Sequence, residues 1–301
     1  MKLEGIRSSE TTAVVWPNGP FAWPEVLRYL SRSDDEPLWR VTRGRVTRLV
    51  SVVEMRVWVD IAWVDGALEI EMRSVDRPIS QATRLAVVDH VAQWLDLTRD
   101  LSPFYQQMRD CPILSPLVQR YAGLRLVGIV DLFEALCWAV IGQQINLPFA
   151  YSIKRQLVHA LGERCQVAGE EYWLFPTAQT VASAGVSVLR ELRLTQRKAE
   201  YICEVARQIA DGSLSKGELA GLPESGSAAA RLMSIRGIGP WTAAYVAMRC
   251  LRDLTAFPVQ DVGVQQAVQN ALQLERKPVP DKLRELGVRW AGWEAYATFY
   301  L

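Results

Sequence analysis

Two glycines that flank one isoleucine, directly before a proline, constrain this chain more than any other feature. Gly237, Ile238, Gly239 and Pro240 follow a short helical pattern that ends near Ser234. Glycine tolerates a positive φ and leaves no Cβ to block close approach, and proline favours the first position of a helix. The sequence therefore predicts two helices joined by a tight turn, with Ile238 buried between them.

The backbone of this turn predicts an anion site. N–H groups in a glycine turn beside a helix N-terminus attract negative charge together. Gly237, Ile238, Gly239 and Thr242 are therefore candidate contacts to one phosphate group. A connection between helices that binds nothing is the alternative, and a bare Gly-x-Gly pattern would not exclude it.

Composition argues against several other classes of protein. Hydrophobic residues make up 50% of the 301 residues and charged residues 22%, which suits two or three globular domains. No apolar run approaches the roughly 20 residues that cross a bilayer, and the N-terminus lacks a signal peptide, so we expect a cytoplasmic location. The five cysteines are far apart, which predicts reduced, mostly buried thiols. We expect no metal and no cofactor.

The net charge of +1 shows no general affinity for a polyanion. A protein that wraps phosphates over its whole surface usually carries a strong basic excess. Any contact with nucleic acid must therefore come from a local surface.

The secondary-structure pattern of the sequence changes near residue 97. The segments before it that favour strands are Thr12–Trp16, Trp39–Thr42, Arg45–Val53, Arg56–Trp63 and Ala67–Met72. Asp65-Gly66 predicts a hairpin turn, and helical spacing predicts helices over Trp23–Leu30 and about Ile79–Leu97. Later residues carry helical periods with little strand signal. The sequence therefore predicts an α+β fold, in which an N-terminal antiparallel sheet with helices precedes a mostly α-helical part.

The string Ile-Arg-Gly-Ile-Gly-Pro-Trp-Thr-Ala over residues 235–243 resembles the helix-hairpin-helix signature of the base-excision DNA glycosylase superfamily. Residues 132–301 are similar to that fold throughout, and the order of elements resembles the bacterial DNA-3-methyladenine glycosylase II family. The resemblance implies an α+β domain over residues 1–97. It also implies a helical domain with the catalytic aspartate over residues 98–130 and 252–301, and one with the hairpin over residues 131–251.

Asp261 stands where this superfamily has its catalytic aspartate. It also suits the N-cap of a helix over Val262–Leu272, and the two roles are compatible because a helix N-terminus favours a charged carboxylate. An anion stabilises the positive charge that builds on the sugar during N-glycosidic cleavage, and it can orient or deprotonate water. Relatives that also nick the backbone carry lysine at the position of Trp241, so the resemblance implies a monofunctional enzyme.

Aromatic side chains are candidate walls of a pocket for the damaged base. Trp241 and Tyr245 lie four residues apart and share one helix face. The resemblance implies the same role for Trp293 and Tyr29, although core packing is the alternative for each of them. An aromatic cleft suits N-alkylated purines, whose ring charge is attracted to an indole face by about 0.5–2 kcal/mol.

Residues 141–146 resemble the loop with which this superfamily separates the DNA strands. Gln143 matches a polar residue near the flipped nucleotide, and either Gln144 or Ile145 would fill the gap in the base stack. An ordinary loop between helices is the alternative. Glu294 is a departure, because arginine commonly follows the C-terminal tryptophan in this superfamily.

The resemblance therefore implies a DNA N-glycosylase that excises alkylated bases from double-stranded DNA in base-excision repair and leaves an abasic site. We expect a monomer that binds no membrane and works at the nucleoid. Two alternatives stay open, a glycosylase for deaminated or oxidised bases and a non-catalytic DNA-binding protein.

Overall fold

The computed structural model describes residues 6–8, 11–222 and 226–301. Residues 1–5, on which the signal-peptide prediction rests, lie outside these ranges. In the described part, six strands form an antiparallel sheet in the order β1-β2-β6-β5-β4-β3. They are β1 (Ile6–Ser8), β2 (Thr12–Val15), β3 (Trp39–Thr42), β4 (Arg45–Val52), β5 (Met55–Val64) and β6 (Ala67–Ser74).

The predicted strands and their hairpin are confirmed. Val57, Val59 and Ile61 alternate along β5 and are buried in the core that the sheet shares with α1 and α2. Asp65 and Gly66 have φ values of +49° and +82°, which is the geometry of a type I′ turn. The helices α1 (Trp23–Leu30) and α2 (Gln81–Leu95) pack in the same core as this sheet.

The rest of the chain is mostly helical, as expected. Among the described residues, no helix combines the length and apolar character that a bilayer crossing needs. The helices are α3 (Ser102–Met108), α4 (Ser115–Arg120), α5 (Leu132–Gly142), α6 (Leu147–Leu161), α7 (Ala178–Glu191), α8 (Gln196–Ala210), α9 (Lys216–Ala220), α10 (Ser227–Met233), α11 (Pro240–Val246), α12 (Val262–Leu272), α13 (Pro280–Gly287) and α14 (Glu294–Tyr300). A π-helical segment, Ala247–Leu251, continues α11, and a 3₁₀ turn, Val288–Trp290, follows α13.

One hairpin in the helical part is missing from the sequence prediction. The strands β7 (Glu163–Val167) and β8 (Glu170–Leu174) pair through a tight turn. Cys165 and Tyr172 of this hairpin pack against Leu49 and Trp58 of the large sheet. The strands are short, only half of their side chains are apolar and their alternation is weak, so tertiary contact stabilises them.

Besides the small cluster under the β7–β8 hairpin, three large clusters of buried side chains form the interior of the described part. One joins the sheet to α1 and α2, one spans residues 132–250, and one joins residues 101–126 to residues 247–300. These clusters support the three-domain division, which stays a proposal. All five cysteines are buried and unpaired, as the sequence predicts.

Buried ion pairs join the N-terminal part of the chain to the helical part. Lys154 on α6 is 3% exposed, and its Nζ lies 2.9 Å from Glu36 Oε2 and 3.3 Å from Glu134 Oε1. Burial alone would lower the pKa of this ammonium, but the two carboxylates raise it above its usual value. Asp96 at the end of α2 pairs with Arg252, beyond α11. These links fix α1, and with it Tyr29, relative to the helical part.

Candidate active site

The glycine turn has the predicted form. Gly237 has a φ of +92°, and a Cβ there would lie 2.2 Å from the ring of Tyr201. Ile238 is 4% exposed and packs in the helical core. Gly239 is exposed and caps α11, whose first turn leaves N–H groups without acceptors inside the helix. The phosphate contacts of this turn stay a prediction, and the geometry suits them.

Gly237→Ala is expected to lower the free energy of unfolding by about 1–3 kcal/mol and to weaken binding to duplex DNA. The methyl group adds backbone strain at a positive φ and collides with Tyr201. Urea unfolding and fluorescence anisotropy with a labelled duplex measure the two effects. Gly169→Ala is the matched control, because Gly169 has a φ of +84° and open space around it. Equal losses of stability in both variants would contradict the role of the Tyr201 contact.

Asp261 is held at the N-terminus of α12 by three hydrogen bonds. Its Oδ1 accepts from the N–H groups of Gly263 and Val264 at 2.8 and 3.2 Å. Its Oδ2 accepts from Trp241 Nε1 at 2.8 Å. The carboxylate forms no salt bridge with a described residue, and the residue is half-buried. It is therefore an oriented anion that keeps access to solvent.

The loop after α5 is tied to the hairpin. Gln143 Nε2 donates to Gly237 O at 3.1 Å and to Thr242 Oγ1 at 3.0 Å. Thr242 is 2% exposed, so its side chain cannot reach DNA. Its predicted contact to DNA would have to come from its backbone N–H. Lys198 Nζ donates to the carbonyl groups of Ile141 and Gln143 at 2.8 and 2.7 Å. Gln143 thus joins the two loops, and its predicted contact to the flipped nucleotide remains untested.

The two candidate wedge residues have different surroundings. Gln144 is exposed and has a φ of +56°, which turns the chain outward at the loop tip. Ile145 is half-buried and packs against the helical core. These positions favour Gln144 over Ile145 as the proposed wedge.

Aromatic side chains form a wall next to the Asp261 carboxylate. The rings of Trp241 and Tyr245 stack with centroids 5.5 Å apart and an interplanar angle of 27°. Trp138 Nε1 donates to the Tyr245 hydroxyl at 2.9 Å. Burial raises the pKa of Tyr245, so this hydroxyl stays neutral.

Tyr29 reaches the same wall from α1. The Cζ of Arg249, on the π-helical segment, lies 5.2 Å from the ring centroid of Tyr29 and 5.4 Å from that of Tyr245. Arg249 Nη1 also donates to the Tyr245 hydroxyl at 3.1 Å. The Cζ of Arg32 lies 4.1 Å from the Tyr29 ring centroid. The structure thus links Asp261, Trp241, Tyr245 and Tyr29 through continuous contacts, and we call this surface the aromatic cleft.

Trp293 borders the same hydrophobic cluster as Tyr245, but its ring contacts are to other residues. Its ring centroid is 5.6 Å from that of Phe104 and 5.9 Å from that of Tyr296, and the residue is half-buried. In the described part of the chain, none of its ring contacts joins it to the aromatic cleft. Its stacking on a base stays a prediction. Burial raises the pKa of the neighbouring Glu294 carboxyl, where the superfamily commonly has arginine.

Sequence reasoning missed Arg32, Arg249 and Trp138 in the cleft. Arg249 could have been predicted from the sequence, because it follows Tyr245 by four residues on the helix face that also holds Trp241. Arg32 and Trp138 carried no such signal, since Arg32 lies in the bend after α1 and Trp138 lies on α5, and only packing brings them together.

Family profiles cover most of the chain. The profile of the HhH-GPD superfamily base excision DNA repair protein matches residues 137–292, and that of the AlkA N-terminal domain matches residues 17–131. The chain belongs to the HhH-GPD superfamily of base excision DNA repair proteins. The HhH-GPD match contains both the glycine turn and Asp261.

Named relatives agree with the HhH-GPD assignment. The chain is 40% identical to a Bacillus subtilis DNA-3-methyladenine glycosylase over 91% of each chain. It is 30% identical to Escherichia coli DNA-3-methyladenine glycosylase 2 over 60% of each. A solved structure, the 3-methyladenine DNA-glycosylase from Archaeoglobus fulgidus, matches with a TM-score of 0.83 and 25% identity, covering 95% of this chain and 96% of that one. The predicted superfamily, the α+β fold class and a role in base excision DNA repair are therefore confirmed.

Proposed function

We propose that this HhH-GPD protein is a monofunctional DNA N-glycosylase that excises alkylated bases, of the 3-methyladenine and 7-methylguanine type, from double-stranded DNA. The observation that carries the proposal is Asp261, an oriented carboxylate whose Oδ2 lies 2.8 Å from Trp241 Nε1 at the edge of the aromatic cleft. The names of the Bacillus subtilis and Escherichia coli relatives support the substrate class.

The chemistry follows from that placement. A base swung out of the duplex enters the cleft, and its C1′–N bond breaks with both electrons moving to the base. Positive charge builds on the sugar next to Asp261, which stabilises it electrostatically. The oxygen of a water molecule then bonds to C1′, and its proton passes to the carboxylate. A cationic N-alkylpurine leaves as a neutral base, so one carboxylate suffices.

The residue at position 241 supports hydrolysis without strand cleavage. A nicking glycosylase needs an amine to attack the sugar and form a Schiff base. Trp241 supplies an indole, whose nitrogen has no free lone pair for that attack and instead donates to Asp261. The product is therefore an abasic site in an intact strand.

Duplex DNA is the partner in this proposal. The N–H groups near Gly239 bind one phosphate, Gln144 fills the gap left by the flipped base, and Gln143 holds the two loops together. The protein then works as a monomer at the nucleoid, where its substrate lies.

A duplex with one 7-methylguanine is expected to lose that base as free 7-methylguanine, and its strand is expected to break only after alkaline heating. Chromatography measures the free base, and a denaturing gel measures the strand. An undamaged duplex is the control. Strand breakage at neutral pH would contradict the monofunctional assignment. Release from hypoxanthine or uracil duplexes alone would favour another lesion class, and binding without release would favour a non-catalytic protein.

A further inference from the structure

Two guanidinium groups lie over aromatic rings of the cleft, where a cationic ligand would otherwise bind. The Cζ atoms of Arg32 and Arg249 lie 4.1 and 5.2 Å from the ring centroid of Tyr29. Neither arginine forms a salt bridge with a carboxylate among the described residues, and Arg249 is only 5% exposed. A buried charge without a counter-ion is unfavourable for folding. A cationic base is therefore repelled at the Tyr29 side of the cleft, where these two positive charges already lie.

The charge of the two arginines dominates this side of the cleft. Burial alone would raise the pKa of Tyr29, yet the pKa is lowered because Arg249 and Arg32 stabilise the phenolate. The Tyr29 hydroxyl is buried, and both guanidinium groups lie close enough to stabilise its charged form. Glu134 lines the same cavity, but its carboxylate pairs with Lys154 at 3.3 Å and not with either arginine.

The two arginines differ in how many of their donors are used. Arg249 holds the wall together, because its Nε donates to Val127 O at 2.7 Å and its Nη1 to the Tyr245 hydroxyl at 3.1 Å. Arg32 is exposed and donates through Nε to the Tyr151 hydroxyl at 2.5 Å. Its two Nη groups donate to no described residue. The Arg32 side chain is therefore held in one orientation, and its Nη groups can donate hydrogen bonds to a ligand.

Such donors affect charged and uncharged bases in opposite ways. When an uncharged base leaves the sugar, the electron pair of the C1′–N bond makes it an anion. A guanidinium stabilises that anion by a charge-assisted hydrogen bond. A cationic N-alkylpurine becomes neutral on leaving, and its initial charge is repelled by the guanidinium.

We propose that Arg32 is a specificity-determining residue of the base pocket. Its Nη donors bind acceptor atoms of the flipped base and favour release of uncharged damaged bases relative to cationic ones. This inference rests on the proposed glycosylase function. In the step it assists, the C1′–N bond breaks, the electron pair goes to the base beside Arg32, and water adds to C1′ with its proton passing to Asp261.

Arg32→Gln tests this role with two duplexes, one containing hypoxanthine and one containing 7-methylguanine. Single-turnover release of hypoxanthine is expected to fall about ten- to hundredfold, the effect of losing a hydrogen bond to a charged group. Release of 7-methylguanine is expected to stay the same or to rise. Arg32→Lys keeps the charge and should retain part of the hypoxanthine rate. Arg155→Gln is the matched control, an exposed arginine on α6 that pairs with Asp35 at 2.8 Å, and it should change neither rate.

The ratio of the two rates separates recognition from structural support. An equal fall for both bases in Arg32→Gln, or no change for either, would overturn the inference. Wild-type protein that releases 7-methylguanine but no hypoxanthine would overturn it while leaving the proposed function standing. Wild-type protein that releases neither base would refute the proposed function itself. Thermal unfolding by circular dichroism establishes that each variant is folded. If Arg32→Gln does not fold, the two rates are compared in Arg32→Lys instead.

Discussion

Asp261→Asn is expected to slow base release about a hundred- to ten-thousandfold while the protein stays folded. Asparagine caps a helix as well as aspartate does, so the hydrogen bonds from Gly263 and Val264 can persist. The neutral amide neither stabilises positive charge on the sugar nor accepts a proton from water. Loss of activity with retained stability would therefore isolate the charge at this position.

Single-turnover release of 7-methylguanine measures the effect of Asp261→Asn, and urea unfolding reports on the fold. Asp253→Asn is the matched control, because Asp253 Oδ1 accepts from the N–H of Thr255 at 2.9 Å in a similar turn. The control should keep the wild-type rate. Base release that persists in Asp261→Asn would reject the catalytic assignment.

Lys154→Met is expected to lower the free energy of unfolding by about 3–5 kcal/mol, the usual effect of breaking a buried ion pair. Methionine nearly conserves the volume of the lysine side chain, so lost packing contributes little. Glu36 and Glu134 would stay buried without their cation. Because this cluster joins the loop between α1 and β3 to α5 and α6, the variant should also loosen the position of Tyr29 in the cleft.

The pH dependence of the Lys154→Met defect follows from the carboxyl groups. Burial already raises the pKa of Glu36 above its ordinary value of 4.5, and removing the lysine raises it further. A carboxyl with a raised folded-state pKa binds its proton more tightly in the folded protein, so stability falls as the pH rises through that range. The defect should be largest at neutral pH, should shrink as the pH falls through the raised range toward 4.5, and should be largely gone below it.

Urea unfolding at several pH values measures this defect. Lys282→Met is the control, because the exposed Lys282 pairs with Glu285 at 2.8 Å on the surface of α13. Such surface pairs contribute about 0–1 kcal/mol. A small, pH-independent loss in Lys154→Met would contradict the role assigned to the buried cluster.

Local sequence signals predicted the elements of the site well. A positive φ at Gly237 and the N-cap at Asp261 follow from short-range chemistry, since each depends on a few neighbouring residues. The hairpin turn at Asp65-Gly66 follows for the same reason. The resemblance then assigned a role to Asp261 that its capping chemistry alone did not distinguish.

Contacts between residues far apart in the sequence were not predicted. The hairpin of β7 and β8 depends on packing against the large sheet, and its own alternation is weak. Arg32 meets Tyr151 across 119 residues of sequence, and Gln143 meets Thr242 across 99. Periodicity within a helix says which face is buried, but it does not say which distant side chain that face will meet.

By itself, the sequence determined the glycine turn, the carboxylate at a helix start, the α+β order and the superfamily, because these depend on neighbouring residues and on motif order. Only the tertiary structure decided that the indole of Trp241 holds Asp261 and that two arginines surround Tyr29. The physical reason is that side-chain contacts between separate elements depend on how those elements pack. The charge of the cleft is set by those contacts.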